Sequence, residues 1–245
     1  MKKIIIPFVI CLVVLLSAIG ILQWRSQNAD DRMIASIEQE TGEEITLATS
    51  ETETVDVIAV QSNVAYNPRV ENGSFVIGVE NAPVTIMEFS SLSCPHCASF
   101  HSGALPDVKK DYVNTGKVKF VFNDFPLNQP AIAGSLLLKC VAPEKRYNFM
   151  EMLFEQQPNW AFDSNYQTKL KQYAALLGVS NEKAEECMND SAAEAKMFEK
   201  MQSDNARYNI TSTPSFVFMP SNEVVTGAQP YGAFSTRIEK LLEEK

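Results

Sequence analysis

Both histidines of the chain and two of its five cysteines fall within eight residues, Cys94-Pro95-His96-Cys97-Ala98-Ser99-Phe100-His101, and this cluster constrains the fold more than any other feature. It follows Val84-Thr85-Ile86-Met87-Glu88-Phe89, an apolar, β-branched run that reads as a buried strand. Cys94 therefore falls where a strand hands over to a helix. At that first turn, unpaired backbone N–H groups and the helix dipole favour a thiolate. The dipole supplies up to ~2 kcal/mol, about 1.5 pKa units. An imidazolium at His96 adds to it, and together they would bring a thiol from ~8.5 into the roughly 3.5–7.5 range of such motifs. Stabilising the thiolate stabilises the reduced pair, so a Cys94–Cys97 disulfide is expected to be oxidising. Cys97, one turn deeper, is expected to be the resolving thiol.

Three other uses of these residues are weaker. A purely structural Cys94–Cys97 bridge closes a very short loop and gains little unfolded-state entropy. A metal site built from Cys94, Cys97 and His101 lacks the second Cys/His pair that would complete four ligands, so no metal is expected. Haem attachment needs His directly after the second cysteine, where this chain has Ala98.

The apolar fraction, 45% of 245 residues, suffices for a real core. The net charge of −9 and the lack of a compact basic run argue against nucleic acid as a partner. The acidity is local: residues 26–60 hold nine acids and one base, Arg32. Ahead of them, Lys2 and Lys3 precede an apolar run from Ile4 to Leu22, followed by Trp24 and Arg25. At 1.5 Å per residue its nineteen residues span roughly 28 Å, close to the ~30 Å hydrocarbon core of a bilayer. An uncleaved signal anchor is favoured over a cleaved signal peptide, whose h-region is usually shorter. In either case the lysines stay in the cytoplasm and the rest of the chain is exported. The expected organisation is a signal anchor or signal peptide at 1–25, an acidic flexible linker at 26–66, and one folded domain at 67–245. A short helix at 31–39 is a weaker candidate for an oligomerisation patch, and the chain is otherwise expected to be monomeric.

Within the folded domain the expected strands are Val84–Phe89, Val118–Phe122, Ser215–Met219 and Glu223–Thr226. A helical stretch from Cys94 to Asn114 is expected to kink or break at Pro106. A long all-helical tract occupies about 127–206, with Asn181 and Ser191 as N-caps and Gly178 as a C-cap. A last helix runs from about Tyr231 to Glu243. The order strand, helix, strand, helical block, strand, strand, helix fits an α/β core interrupted by a helical insertion.

That order, with Cys-Pro-His-Cys at a helix start and Thr213-Pro214 leading into Ser215-Phe216-Val217-Phe218, resembles the DsbA-like thiol–disulfide oxidoreductases of the thioredoxin fold. The resemblance covers roughly 67–245. It implies an α/β thioredoxin-like fold with an all-helical insertion, and a catalytic set of Cys94, Pro95, His96 and Cys97. It further implies a cis bond before Pro214, with Thr213 offering backbone hydrogen bonds to a bound peptide; an ordinary trans proline is the alternative. The family carries a buried acid six residues before the nucleophilic cysteine. Glu88 holds that position and would relay a proton to or from Cys97, unless it faces solvent. His101 matches no family role and reads as a satisfied helix histidine. Of the other three cysteines, Cys11 lies in the apolar run and reads as a small hydrophobe, and Cys140 and Cys187 form either a second disulfide stapling the insertion or two buried free thiols. The implied activity is donation of the Cys94–Cys97 disulfide to reduced, cysteine-containing exported proteins, with no bound cofactor and with re-oxidation by a membrane partner. The alternatives are a disulfide isomerase or reductase, which Thr213 in place of a valine keeps open, and a non-redox peptide- or metal-binding module. The expected location is the periplasm, tethered to the inner membrane through residues 4–22.

Overall fold

A computed structural model describes residues 67–244. The expected anchor at 1–25, linker at 26–66 and short helix at 31–39 lie outside the described residues. Among the described residues, six strands form one mixed sheet in the order β1-β2-β4-β3-β5-β6. They are β1 (Arg69–Glu71), β2 (Ser74–Ile77), β3 (Val84–Ser90), β4 (Val118–Asp124), β5 (Ser215–Met219) and β6 (Glu223–Thr226). β3 and β4 pair in parallel, because the helical stretch between them crosses over the sheet, and every other pair is antiparallel.

The period of two along β3 assigns its residues to the two faces. Val84 and Ile86 join the main core with Phe100 and Phe216, and Phe89 packs on the other side with Ile210 and Val217. Glu88 thus points toward the same side as Ile86, under the helix that follows the strand.

That helix, α1 (Pro95–Ser102), ends at Gly103, and α2 (Ala104–Val108) then runs into a π-helical turn, Lys109–Val113. The break therefore falls three residues before Pro106, not at it. The proline lacks the N–H that would bond the Ser102 carbonyl and its ring crowds that group, so the chain must turn upstream. The insertion comprises α3 (Gln129–Cys140), α4 (Pro143–Glu155), α5 (Gln157–Trp160), α6 (Tyr166–Ala175), α7 (Asn181–Met188) and α8 (Ser191–Tyr208), and the last helix is α9 (Tyr231–Glu243). The caps of α7 and α8 sit one residue earlier than expected. Ser180 Oγ accepts from the Lys183 N–H at 3.2 Å and Asp190 Oδ1 from the Ala193 N–H at 2.9 Å, so Asn181 and Ser191 are first helical residues instead.

The β1–β2 hairpin was not anticipated. Asn72 and Gly73 turn it at φ 49° and 79°, the left-handed pair that a two-residue hairpin loop requires. In the core, Phe100 of α1 stacks on Phe120 and Phe234 and tilts against Phe216, fixing α1 between the sheet and α9. The architecture is the α/β thioredoxin-like fold with an all-helical insertion.

Candidate active site

Cys94 is the N-cap of α1, in extended backbone (φ −86°, ψ 119°), with Pro95 at the first helical position. Proline fits there because its missing N–H would have no helical partner. The Cys94 carbonyl accepts from Ala98 N–H at 3.2 Å, opening the helix, and Cys97 follows one turn on. Cys94 is 6% exposed, Cys97 is fully buried, and both are thiols.

The two sulfurs titrate in opposite directions. Cys97 S–H donates to Cys94 and, against the cost of burial, does most to bring the Cys94 thiol down to about 5; Thr213 and the backbone N–H groups of Cys97 and His96 lower it further. Burial pushes the Cys97 thiol far up, and its bond to Cys94 and the charge of Glu88 add to the rise. His96 acts on the sulfur through its backbone N–H, and its ring lies exposed. The sequence assigns that help to an imidazolium charge, whereas the groups that lower the sulfur are first the Cys97 thiol, then Thr213, then the amides of the helix start.

Facing the cysteines is the loop between α8 and β5. The Thr213–Pro214 bond is cis, as the resemblance implied, and so is Met219–Pro220, which had no counterpart among the expectations. Cys94 Sγ lies 3.4 Å from the Thr213 carbonyl oxygen. Pro214 is buried while Pro95 and His96 are exposed, so the accessible rim of the site is the first turn of α1.

Glu88 is fully buried and is not a lone acid: both of its oxygens lie within 3.3 Å of His101 Nε2, the nearer at 3.1 Å. The other ring nitrogen, Nδ1, is 2.5 Å from Glu151 Oε1 of α4. With both nitrogens engaged by carboxylates, His101 is not available to a metal alongside Cys94 and Cys97. Asn123 of β4 donates to the Glu88 backbone carbonyl at 3.2 Å, tying the strand beneath the site.

Two contacts from the insertion escaped the sequence reading. Gln157 of α5 is buried and its Nε2 donates to the carbonyls of Leu92 and Cys94 at 2.8 and 3.0 Å, which holds the loop before α1. Gly134 of α3 lets that helix approach the same loop, since a Cβ there would meet Leu92 at 3.0 Å and Trp160 at 3.3 Å. Cys140, at the end of α3, and Cys187, in α7, form a disulfide across 47 residues of sequence. Among the described residues no helix is long and apolar enough to cross a membrane.

A family model described as Thioredoxin matches residues 71–240. Disulfide bond formation protein D of Bacillus subtilis is 30% identical over 179 residues, covering 71% of this chain and 79% of its own. A Rickettsia felis protein named as a candidate protein-disulfide oxidoreductase is 29% identical over 181 residues; the match covers 72% of this chain and 63% of that relative's length. Among solved structures, alpha-DsbA1 of Wolbachia pipientis superposes with a TM-score of 0.66 at 25% identity, covering 71% of this chain and 94% of that one.

Proposed function

The chain belongs to the thioredoxin-type family of DsbA-like protein-disulfide oxidoreductases, and from that premise we propose that it is an exported oxidase that donates its Cys94–Cys97 disulfide to client proteins. The observation that carries this reading is the acidic Cys94 sulfur at the start of α1, with the Cys97 thiol donating to it from behind. A dithiol stabilised in that way is a good leaving product, so its disulfide is oxidising.

A client thiolate attacks Cys94 Sγ, the Cys94–Cys97 bond breaks, and Cys97 leaves as a thiolate that takes up a proton. A second client thiolate then attacks the client sulfur of the mixed disulfide, and Cys94 leaves as a thiolate. Two electrons pass from the client to the protein. Of the client's two protons, one is matched on Cys97 and the other goes to solvent. Thr213 offers backbone groups to the client beside the reacting sulfur. Re-oxidation requires an electron acceptor, which we assign to a membrane redox partner. The lysines and apolar run at the N-terminus support export to the periplasm with the first segment retained as an anchor.

The test is trapping. Cys94→Ala is expected to abolish exchange with a reduced, unfolded client, whereas Cys97→Ala, offered as its activated Cys94 mixed disulfide, accumulates client-linked complexes on non-reducing gels. Alkylation of the reduced wild-type chain at mildly acidic pH should label Cys94 and spare Cys97. Complexes that form through Cys97 instead would overturn the assignment of roles.

A further inference from the structure

His101 occupies the last turn of α1, one turn beyond Cys97, with 1% of its side chain exposed. An imidazole can donate to two carboxylates at once only when both nitrogens carry hydrogen, so contacts to Glu88 on one side and Glu151 on the other hold a proton on the ring. The Phe154 ring packs 4.0 Å from the imidazole and Phe100 and Phe122 lie around it, which keeps water from the ring faces. Burial alone would drive the proton off, but the charges of Glu88 and Glu151 outweigh it and bring the group up to about 9.

The two carboxylates differ in access. Glu88 is fully buried and its charge acts on Cys97, whereas Glu151 is 30% exposed in its side chain and, with Ser102, Phe154 and Glu155, lines an open groove of about 670 Å³ that also reaches Pro95, Ala98 and Ser99 of α1. Lys109, from the π-helical turn, is a second cation, besides His101, whose charge interacts with Glu151. A continuous hydrogen-bonded line therefore runs from a carboxylate beneath the active site to water, by a route that does not pass Cys94.

We propose that His101 and Glu151 carry the proton relay that the family resemblance implies for Glu88 onward to water, so that the Cys97 proton exchanges through the groove between α1 and α4. The relay rests on the exchange reaction proposed above. A client bonded to Cys94 covers the small opening at that sulfur and the adjoining Pro95 part of the groove, just when the Cys97 thiolate has been released into a buried site and must be protonated, whereas Glu151 meets the groove beside Ser102 and Glu155. A proton moves from His101 Nε2 to Glu88 and from Glu88 to the Cys97 thiolate, while His101 takes one up at Nδ1 from Glu151, which recovers it from water. When Cys97 is later re-oxidised, the same steps run backward and its proton leaves through the groove. No net proton is created or lost along the line. His101 and Glu151 touch neither client nor sulfur and are positioning residues for the Cys97 proton.

Glu151→Gln in the full chain is the decisive variant, because residue 151 is partly exposed and glutamine keeps its shape and one hydrogen bond. The oxidised protein is mixed with dithiothreitol and its reduction is followed by acid quench and thiol labelling, in H₂O and in D₂O, from pH 5 to 9. The variant should be reduced about 10²-fold more slowly, the low end of general acid–base effects, with a larger solvent isotope effect and a flattened pH profile. High concentrations of imidazole, which can reach the open groove, should restore most of the rate. The Cys94 titration should stay at its wild-type value, while the denaturation midpoint falls, because the buried imidazolium loses one of its two carboxylates. A wild-type chain that is reduced readily, paired with a variant of the same rate and isotope effect, would overturn the relay alone. A slowed variant that imidazole does not rescue would also overturn it, in favour of a structural role. A wild-type chain that fails to exchange thiols at all would overturn the proposed function and the relay with it.

Discussion

The pH dependence of stability, compared between redox states, is a direct measure of how the Cys94 thiolate is held. In the disulfide form neither cysteine titrates, whereas in the dithiol form Cys94 ionises at about 5 in the fold, against 9.0 for an unperturbed cysteine thiol. A depressed folded value stabilises the fold above it. The gain is fully present above pH 9 and disappears as pH falls through 5. At pH 7 the unfolded thiol is still protonated, so two pH units count, at about 1.36 kcal/mol each, for roughly 3 kcal/mol. Cys97 is silent below about pH 8, since its thiol stays protonated both folded and unfolded. The difference in unfolding free energy, reduced minus oxidised, should thus be flat near pH 4 to 5 and then rise with a slope near 1.36 kcal/mol per pH unit up to pH 8. The pH-independent contribution of the disulfide to the oxidised form only offsets this curve. Guanidinium titrations of both redox states at each pH supply it. His96→Ala, which keeps the backbone N–H and removes an exposed ring, should leave the slope in place. A difference that stays level from pH 4 to 8, or one that falls, would refute the reasoning.

Gln157→Ala removes the donor shared by the Leu92 and Cys94 carbonyls; leaving buried acceptors unpaired should cost about 1–3 kcal/mol in denaturant unfolding of the reduced protein and slow client exchange as the loop loosens. An unchanged midpoint would show that water replaces the amide without loss. Replacing Cys140 and Cys187 together by serine opens a loop of 47 residues and should lower stability by up to about 4 kcal/mol, read from the same titrations, with the Cys94 titration unmoved. A loss well under 1 kcal/mol would mean that the insertion is already held by its packing.

The sequence carried the sheet and the cysteines because those signals are local. β5, β6 and α9 fall where apolar runs and turn residues predict them, and β3 and β4 each extend only one or two residues further. The β1–β2 hairpin was missed because strands of three and four residues are too short to show alternation, although Asn72-Gly73 is itself a hairpin signal. The caps of α7 and α8 slipped by one because cap-competent residues stand side by side at 180–181 and 190–191. What decides between them is which oxygen reaches the third helical amide, and that is set by backbone geometry.

The Glu88 environment was illegible for a different reason. Alternation along β3 shows that an acid shares a face with Val84 and Ile86, but not what it meets there. Its partner His101 lies thirteen residues on, and the next member, Glu151, lies fifty residues beyond that, in a helix whose composition gives no hint of a buried partner. Gln157 is likewise separated from Cys94 by sixty-three residues. Both belong to the helical insertion, which therefore does more than cover the sheet. Gln157 of α5 ties down the carbonyl of the reactive cysteine, and Glu151 of α4 reaches the histidine that contacts the buried acid. If the core alone set the chemistry, changes at either position would alter stability without altering how the thiols react. The hydrogen bonds running from both positions to the residues around Cys94 and Cys97 argue that the insertion and the redox pair work as one unit.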